Sequence, residues 1–173
     1  MMFKKTTLAV FFMLPIISAY AVDGSVNFTG EIVDAACKVD VGASSALSVD
    51  LGKVQKSALT GDGSTASATK FTLKLSSCPS TITKAAVKFA GTPYDNDNSI
   101  LALTSGTGVA TGVGIQLLDA GNAVLPLFTD STSYTLVADD ENDLDFYARY
   151  IQKGTTVVAG KANATASFTI DYQ

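Results

Sequence analysis

Phe168-Thr169-Ile170-Asp171-Tyr172 sets an apolar or aromatic residue at every second position with a polar one between. Successive side chains of an extended chain point to opposite faces, so this period of two describes a strand with one buried and one wet face. Val26, Phe28, Gly30 and Ile32 alternate in the same way with Asn27, Thr29 and Glu31, and Phe71, Leu73 and Leu75 with Thr72, Lys74 and Ser76. Further strand candidates are residues 47–51, 85–90, 100–104, 113–118, 124–128, 134–137 and 144–151. Between them lie turn-formers: Gly61-Asp62-Gly63-Ser64, residues 93–98 (Pro-Tyr-Asp-Asn-Asp-Asn), Gly106-Thr107-Gly108, Asp119-Ala120-Gly121-Asn122 and the acidic run 139–143. Only residues 35–41 and 54–59 could hold a turn of helix. Short segments bounded by turn chemistry favour an antiparallel β-sandwich over alternating βα units. No internal repeat, heptad pattern or low-complexity linker divides the chain, so one folded domain is expected.

That domain starts after an address. Lys4 and Lys5 form a positive n-region, residues 8–17 an apolar stretch broken by Pro15, and Ala19-Tyr20-Ala21 a small-x-small cleavage pattern. About ten apolar residues are too few for a bilayer that needs roughly 20. Residues 1–21 are therefore expected to be a signal peptide, whose removal from 173 residues leaves 152. The 12 basic residues fall to 10 against 16 acidic ones, so the net charge moves from −4 to −6. No later apolar run reaches spanning length, which predicts an exported protein without a membrane span.

Export decides how the cysteines read. Cys37 and Cys78 are an even pair in an oxidising compartment, most simply one disulfide. On the chain-entropy model, closing a loop of that length stabilises by roughly 4 kcal/mol. Two cysteines without histidine do not make a structural zinc site.

Composition removes several functions. The acidic excess and the lack of a clustered basic patch argue against nucleic acid. There is no histidine, so the commonest general acid/base and the commonest imidazole metal ligand are missing. Charged residues are only 16% of the chain and apolar ones 47%, which leaves a surface of Thr, Ser, Asn and Gly around an adequate core.

The remaining motifs have bland readings. Ser67-Ala68-Thr69-Lys70 fits the S-x-x-K pattern of serine acyl-transfer enzymes, but it leads into a strand and has no S-D-N or K-T-G partner. Gly106-Thr107-Gly108 lacks the third glycine and the helix of a dinucleotide loop. Asp95-Asn96-Asp97-Asn98-Ser99 places Ile100 where an EF-hand needs glycine and Gly106 where it needs glutamate; the run from Asp139 fails at Leu144 and Tyr150. Neither is expected to hold a metal. No pair of carboxylates stands out for glycoside cleavage. Asn27-Phe28-Thr29 and Asn163-Ala164-Thr165 are formal glycosylation sequons.

Residues 26–37, Val-Asn-Phe-Thr-Gly-Glu-Ile-Val-Asp-Ala-Ala-Cys, resemble the start of mature pilins of the chaperone–usher pathway, particularly type 1 fimbrial major subunits. The second cysteine, Phe146-Tyr147-Ala148-Arg149-Tyr150 and the ending Ala166-Ser167-Phe168-Thr169-Ile170-Asp171-Tyr172-Gln173 are similar to the same family in the same order.

The resemblance implies an incomplete immunoglobulin-like β-sandwich that lacks its last strand. A periplasmic chaperone first fills the open groove, and the N-terminal extension of the next subunit then replaces it by donor-strand exchange, with an outer-membrane usher directing assembly. Carried over, residues 22–33 are the donor extension and 34–173 the sandwich. Val26, Phe28, Gly30 and Ile32 face the neighbour's groove, with Gly30 where a side chain would obstruct close backbone approach. Phe168, Ile170 and Tyr172 line the receiving groove, and the Gln173 carboxylate meets basic residues of the chaperone. An open apolar groove is an aggregation hazard, so such a subunit needs a capping partner, and head-to-tail donation gives an open filament.

The resemblance thus implies a structural, non-enzymatic pilus subunit without cofactor, exported through the periplasm to a fimbrium at the cell surface, where it supports adhesion. A tip adhesin would need a further receptor-binding domain and an assembly terminator would lack the donor extension, which points to the major rod pilin. A minor tip-fibrillum or adaptor pilin is the alternative within the family. Outside it stand a self-contained exported binding module, aided by Ca²⁺ on residues 139–145, and an enzyme using Ser67 and Lys70. On pattern alone, residues 26–32 would be the first strand of the chain's own sheet, 168–172 a last core strand, and 146–150 a buried strand with Arg149 paired or snorkelling.

Overall fold

The computed structural model describes residues 27–29, 36–42 and 46–173. The expected signal peptide, and Val26, Gly30 and Ile32 of the expected donor stretch, lie outside them. The chain separates into two units, residues 1–32 and 33–173. In the first, Phe28 is 92% exposed; the β-structure belongs to the second.

That structure comprises β1 (Lys38–Asp40), β2 (Thr69–Ser76), β3 (Lys84–Ala90), β4 (Pro93–Tyr94), β5 (Asp97–Leu101), β6 (Val113–Leu118), β7 (Tyr134–Thr135), β8 (Asn142–Gln152) and β9 (Ser167–Tyr172). One 3₁₀ turn, Lys56–Ala58, is the only helical piece among the described residues. The strands form two antiparallel sheets, a six-stranded one in the order β1-β2-β8-β6-β5-β4 and a three-stranded one in the order β7-β3-β9. They pack as an immunoglobulin-like sandwich, the all-β architecture expected from the alternation.

Register explains the core. Phe71 faces Phe146 and Leu73 faces Leu144 across β2 and β8, all on the inner side. The intervening positions carry charge: Lys70 lies 2.8 Å from Asp145, which also accepts a 2.7 Å hydrogen bond from the Thr72 hydroxyl. The small sheet aligns Ala85, Val87 and Phe89 with Tyr172, Ile170 and Phe168. Rings then interlock: between the sheets Phe89 lies edge-on to Phe146 at 5.2 Å, and within the large sheet Phe71 stacks on Phe146 at 5.7 Å. Offset and edge-to-face arrangements suit the ring quadrupoles. Tyr134 of β7 reaches across, its ring 5.6 Å from Phe146 and its hydroxyl donating to the Asp145 carbonyl at 2.6 Å. Arg149 is paired, donating through Nε and Nη2 to the buried Gln116 side chain at 3.0 and 2.7 Å.

Cys37 and Cys78 form the expected disulfide, joining the residue before β1 to the chain just beyond β2. This tether and the β1–β2 ladder correct the expectation of a helical turn over 35–41: residues 38–40 are strand. The 54–59 turn is real, as 3₁₀. Residues 93–98 prove to be a hairpin, with Asp95 and Asn96 at φ 48° and 64° between β4 and β5. Two successive positive φ values suit a tight turn that follows strand twist. Residues 124–128 are not a strand. Val124 bridges Leu118, but Pro126 has no amide to donate and Phe128 takes φ 65°, which turns the chain away.

Gly112 is required by its backbone. Its φ is +71°, and a Cβ there would run into the Thr156 carbonyl oxygen. Gly112→Ala should therefore destabilise by more than about 1 kcal/mol, read as a lowered urea midpoint with an unchanged slope. Burial, aided by the charges of Asp119 and Asp145, pushes the Tyr134 hydroxyl up to about 12, and burial raises Tyr150 and Tyr172 as well. A raised folded-state value means the neutral phenols favour the fold fully below their ordinary value of about 10, and this contribution fades as pH rises toward 12. Urea midpoints between pH 8 and 12 should fall above pH 10, and Tyr134→Phe should make that fall shallower.

Candidate functional site

The edge of the small sheet has no second strand neighbour for β9 among the described residues. Gln173 and Lys84 exchange both of their backbone hydrogen bonds, each 2.9 Å, and the Gln173 oxygen also accepts from Thr83. In an antiparallel ladder such pairs alternate with non-bonded ones. Asp171, Thr169 and Ser167 therefore turn their amides and carbonyls toward β3. Phe168, Ile170 and Tyr172 turn theirs away, to the free edge.

The alternation begins before the strand. From Lys161 to Ile170 each odd-numbered residue is exposed and each even-numbered one half-buried: Ala162, Ala164, Ala166, Phe168 and Ile170. This extended border faces an elongated apolar groove of about 820 Å³. Ala164, Ala166 and Phe168 form one wall; Val39, Val41, Leu47, Val49 and Leu51 form the other. Phe71, Leu73, Phe89, Ile115, Leu117 and Ala148 make its floor. Those floor residues belong to the main core, so the groove is a slot opened into the core itself. Its small wall residues, alanines at 164 and 166, leave the space.

No charged side chain lines this groove among the described residues, and its only side-chain hydroxyls are those of Ser48, Thr165 and Ser167. It offers an apolar trough and, along one border, a row of backbone donors and acceptors. Its volume would suit a drug-sized ligand, but unpaired strand groups select something narrower. An extended peptide satisfies the backbone and places alternate side chains in the trough.

Of the sequence-predicted receiving residues, Phe168 lines the groove. Ile170 and Tyr172 lie on the same face of β9, packed against the main core beyond the groove's lining. The five apolar residues of the opposite wall were absent from the predicted set. The period-two run Leu47, Val49, Leu51 is a usable signal, but by itself it describes an ordinary strand. In the structure residues 47–51 belong to no ladder and border the groove instead.

The other motifs are placed elsewhere. Ser67 is exposed, and Lys70 is engaged by Asp145 on the outer face of the large sheet, which also raises the lysine pKa. In the 139–143 loop, Asn142 is buried, its amide donating to the Val137 and Asp140 carbonyls and its oxygen accepting from the Val137 amide. Glu141 and Asp143 face Lys74. Asp97 holds Lys153 at 3.1 Å and accepts from the Ser99 hydroxyl and amide, and these bonds, Ser99 first, lower its pKa. Among the described residues no three His, Cys, Asp or Glu side chains cluster as metal ligands.

Comparison with known proteins agrees with this geometry. Residues 26–173 match the family model described as fimbrial protein. The type-1 fimbrial protein A chain of Escherichia coli K12 is 41% identical over 154 residues, covering 87% of this chain and 84% of the relative. The crystal structure of the type I fimbria protein of Burkholderia pseudomallei is 35% identical, with a TM-score of 0.60 over 81% of this chain and 91% of the other. A chaperone–usher pilus structure concerned with rod uncoiling is 26% identical, with a TM-score of 0.66 over 90% of this chain and 99% of the other. A family model that spans residues 26–173 and a relative 41% identical along most of both chains show that this chain belongs to the fimbrial protein family, as a structural subunit of a pilus.

Proposed function

We propose that this chain is the rod-forming subunit of its pilus and that the groove beside β9 receives the N-terminal extension of the next copy. One observation carries the reading: an uncharged trough of about 820 Å³ runs beside a strand edge whose outward amides and carbonyls belong to Phe168, Ile170 and Tyr172. A donated strand supplies the missing ladder, and its alternate side chains fill the trough. Residues 1–21 direct export and are removed, residues 22–33 donate, and residues 34–173 accept. Val26, Phe28 and Ile32 enter the neighbour's slot, and Gly30 lets the two backbones approach.

Until a neighbour arrives, the slot needs another occupant. Exposed apolar core beside an unpaired edge favours aggregation, so a periplasmic chaperone covers it and an outer-membrane usher exchanges chaperone for subunit. Gln173, fixed through its backbone to Thr83 and Lys84, is where basic residues of the chaperone anchor. The finished polymer supports adhesion by holding a tip away from the cell. Donor and acceptor are different surfaces, so the contact is heterologous and the filament does not close.

Deleting residues 22–30 should leave a subunit that forms the disulfide and binds chaperone yet gives no heat-labile ladder on unheated gels; ladders of wild-type length would refute donation. Gly30→Leu should slow or block assembly while the Cys37–Cys78 bond still forms. Unchanged polymerisation of that variant would show that residue 30 is misplaced in the register.

A further inference from the structure

The trough presents the same chemistry along its length, which leaves a problem of register. Side chains of a strand alternate, so a donated strand that slides by two residues keeps its apolar side chains inside and its ladder bonded, only displaced. The floor is apolar throughout, and the border repeats the same residue at Ala164 and Ala166. Neither marks one position for the incoming strand, so the register has to be fixed at an end of the groove.

Tyr150 stands at one end. The inner row of β8 runs through Phe146 and Ala148 to Tyr150, which packs against the main core. Ala148 lines the groove, as does Ile115, the partner of Tyr150 across β6 and β8; Tyr150, one step further on, does not. Its hydroxyl instead donates to the Ala162 carbonyl at 2.9 Å, so the side chain reaches from the floor to the border where the lining ends. Lys161 and Asn163 spend their backbone groups in the other direction, on Gly108, Ala110 and Thr104. In an extended chain the Ala162 carbonyl therefore points to the free side, in the row that continues through Ala164 and Ala166 into β9. Tyr150 occupies the acceptor that a strand sliding this way would need next. Burial first, and the charge of Asp50 second, hold the phenol above its ordinary pKa, so it keeps its proton and remains a donor. Beyond the ring lies a second apolar cluster, Ala110, Val113 and Val157, against which Tyr150 and Ala162 also pack. Without the ring between them, the apolar path would run on.

We infer that Tyr150 is a positioning residue for strand donation: its ring closes the groove beyond Ala148 and its hydroxyl takes the Ala162 carbonyl, so an incoming strand stops in one register. The inference deepens the assembly reading above and rests on it.

The test places one cysteine at residue 28 (F28C) and a second at border position 162, 164, 166, 168 or 170 in turn, in the full chain expressed with chaperone and usher. Directly opposed strand residues are close enough for a disulfide, so multimers that survive heating but not reductant report which position residue 28 faces. With Tyr150 in place one position should dominate. In Y150F, and more strongly in Y150A, crosslinks at the position two residues closer to Ala162 should rise at least several-fold while the heat-labile ladder persists. If Y150A does not fold, Y150F decides alone. An unchanged crosslink pattern would overturn the inference, and so would a shift away from Ala162. Loss of the ladder in Y150F would assign Tyr150 to folding and overturn it too. A ladder from the chain with Tyr150 but no crosslink at any of the five positions would instead overturn the placement of the donor in this groove, and the stop with it.

Discussion

A backbone amide or carbonyl withdrawn from water has to be hydrogen-bonded, and β9 meets that requirement on one side only. Its inner groups are satisfied by β3. Its outer groups, at Phe168, Ile170 and Tyr172, face no strand among the described residues, and at Phe168 this edge borders a trough too apolar to compensate them with side chains. The small sheet ends at that border, while the large sheet continues through six strands. Among the described residues β1, β4 and β7 are edges too, but the β9 edge is the one that runs on into the wall of an apolar trough.

The groove is not an accessory carved into a complete domain. Phe71, Leu73, Phe89 and Leu117 line it and also belong to the core, so whatever occupies it packs against the residues that hold the two sheets together. Filling it adds buried apolar area at about 25 cal/mol per Å², in the same cluster that already stabilises the fold. Binding and folding here draw on one set of contacts. Strand addition then brings stability along with affinity, a coupling that a preformed surface patch lacks.

Much of this could be read from residue order, for physical reasons. Strands whose apolar side chains alternate strongly, such as Phe71-Leu73-Leu75 and Phe168-Ile170-Tyr172, declare their faces because those faces meet different solvents. The six buried residues of β6 were legible as a continuous run. What escaped was set by partners distant in sequence. β1 has only three residues and exists because Cys78 and β2 lie beside it. Residues 47–51 alternate as a strand does, but alternation reports a buried face and not a hydrogen-bonded neighbour. Ala162, Ala164 and Ala166 extend the acceptor border, yet alanine contrasts too weakly with threonine and asparagine to mark a face. Nothing in the letters Pro126-Leu127-Phe128 announces a left-handed aromatic; that follows from Asn98 and Phe89 pinning the two amides.

The disulfide has a mechanical consequence. With residues 22–33 as the donor, as proposed above, tension in the filament would reach each sandwich from the segment that precedes Cys37. Without a crosslink it would fall first on β1, whose three paired residues could be peeled from β2 in sequence. The Cys37–Cys78 bond offers a covalent bypass at the first point of loading, delivering force to the chain just beyond β2, which is laddered along seven positions to β8. Pull is thereby shared as shear across the interior of the large sheet, and the groove wall that β1 begins keeps its place while the fibre is stretched.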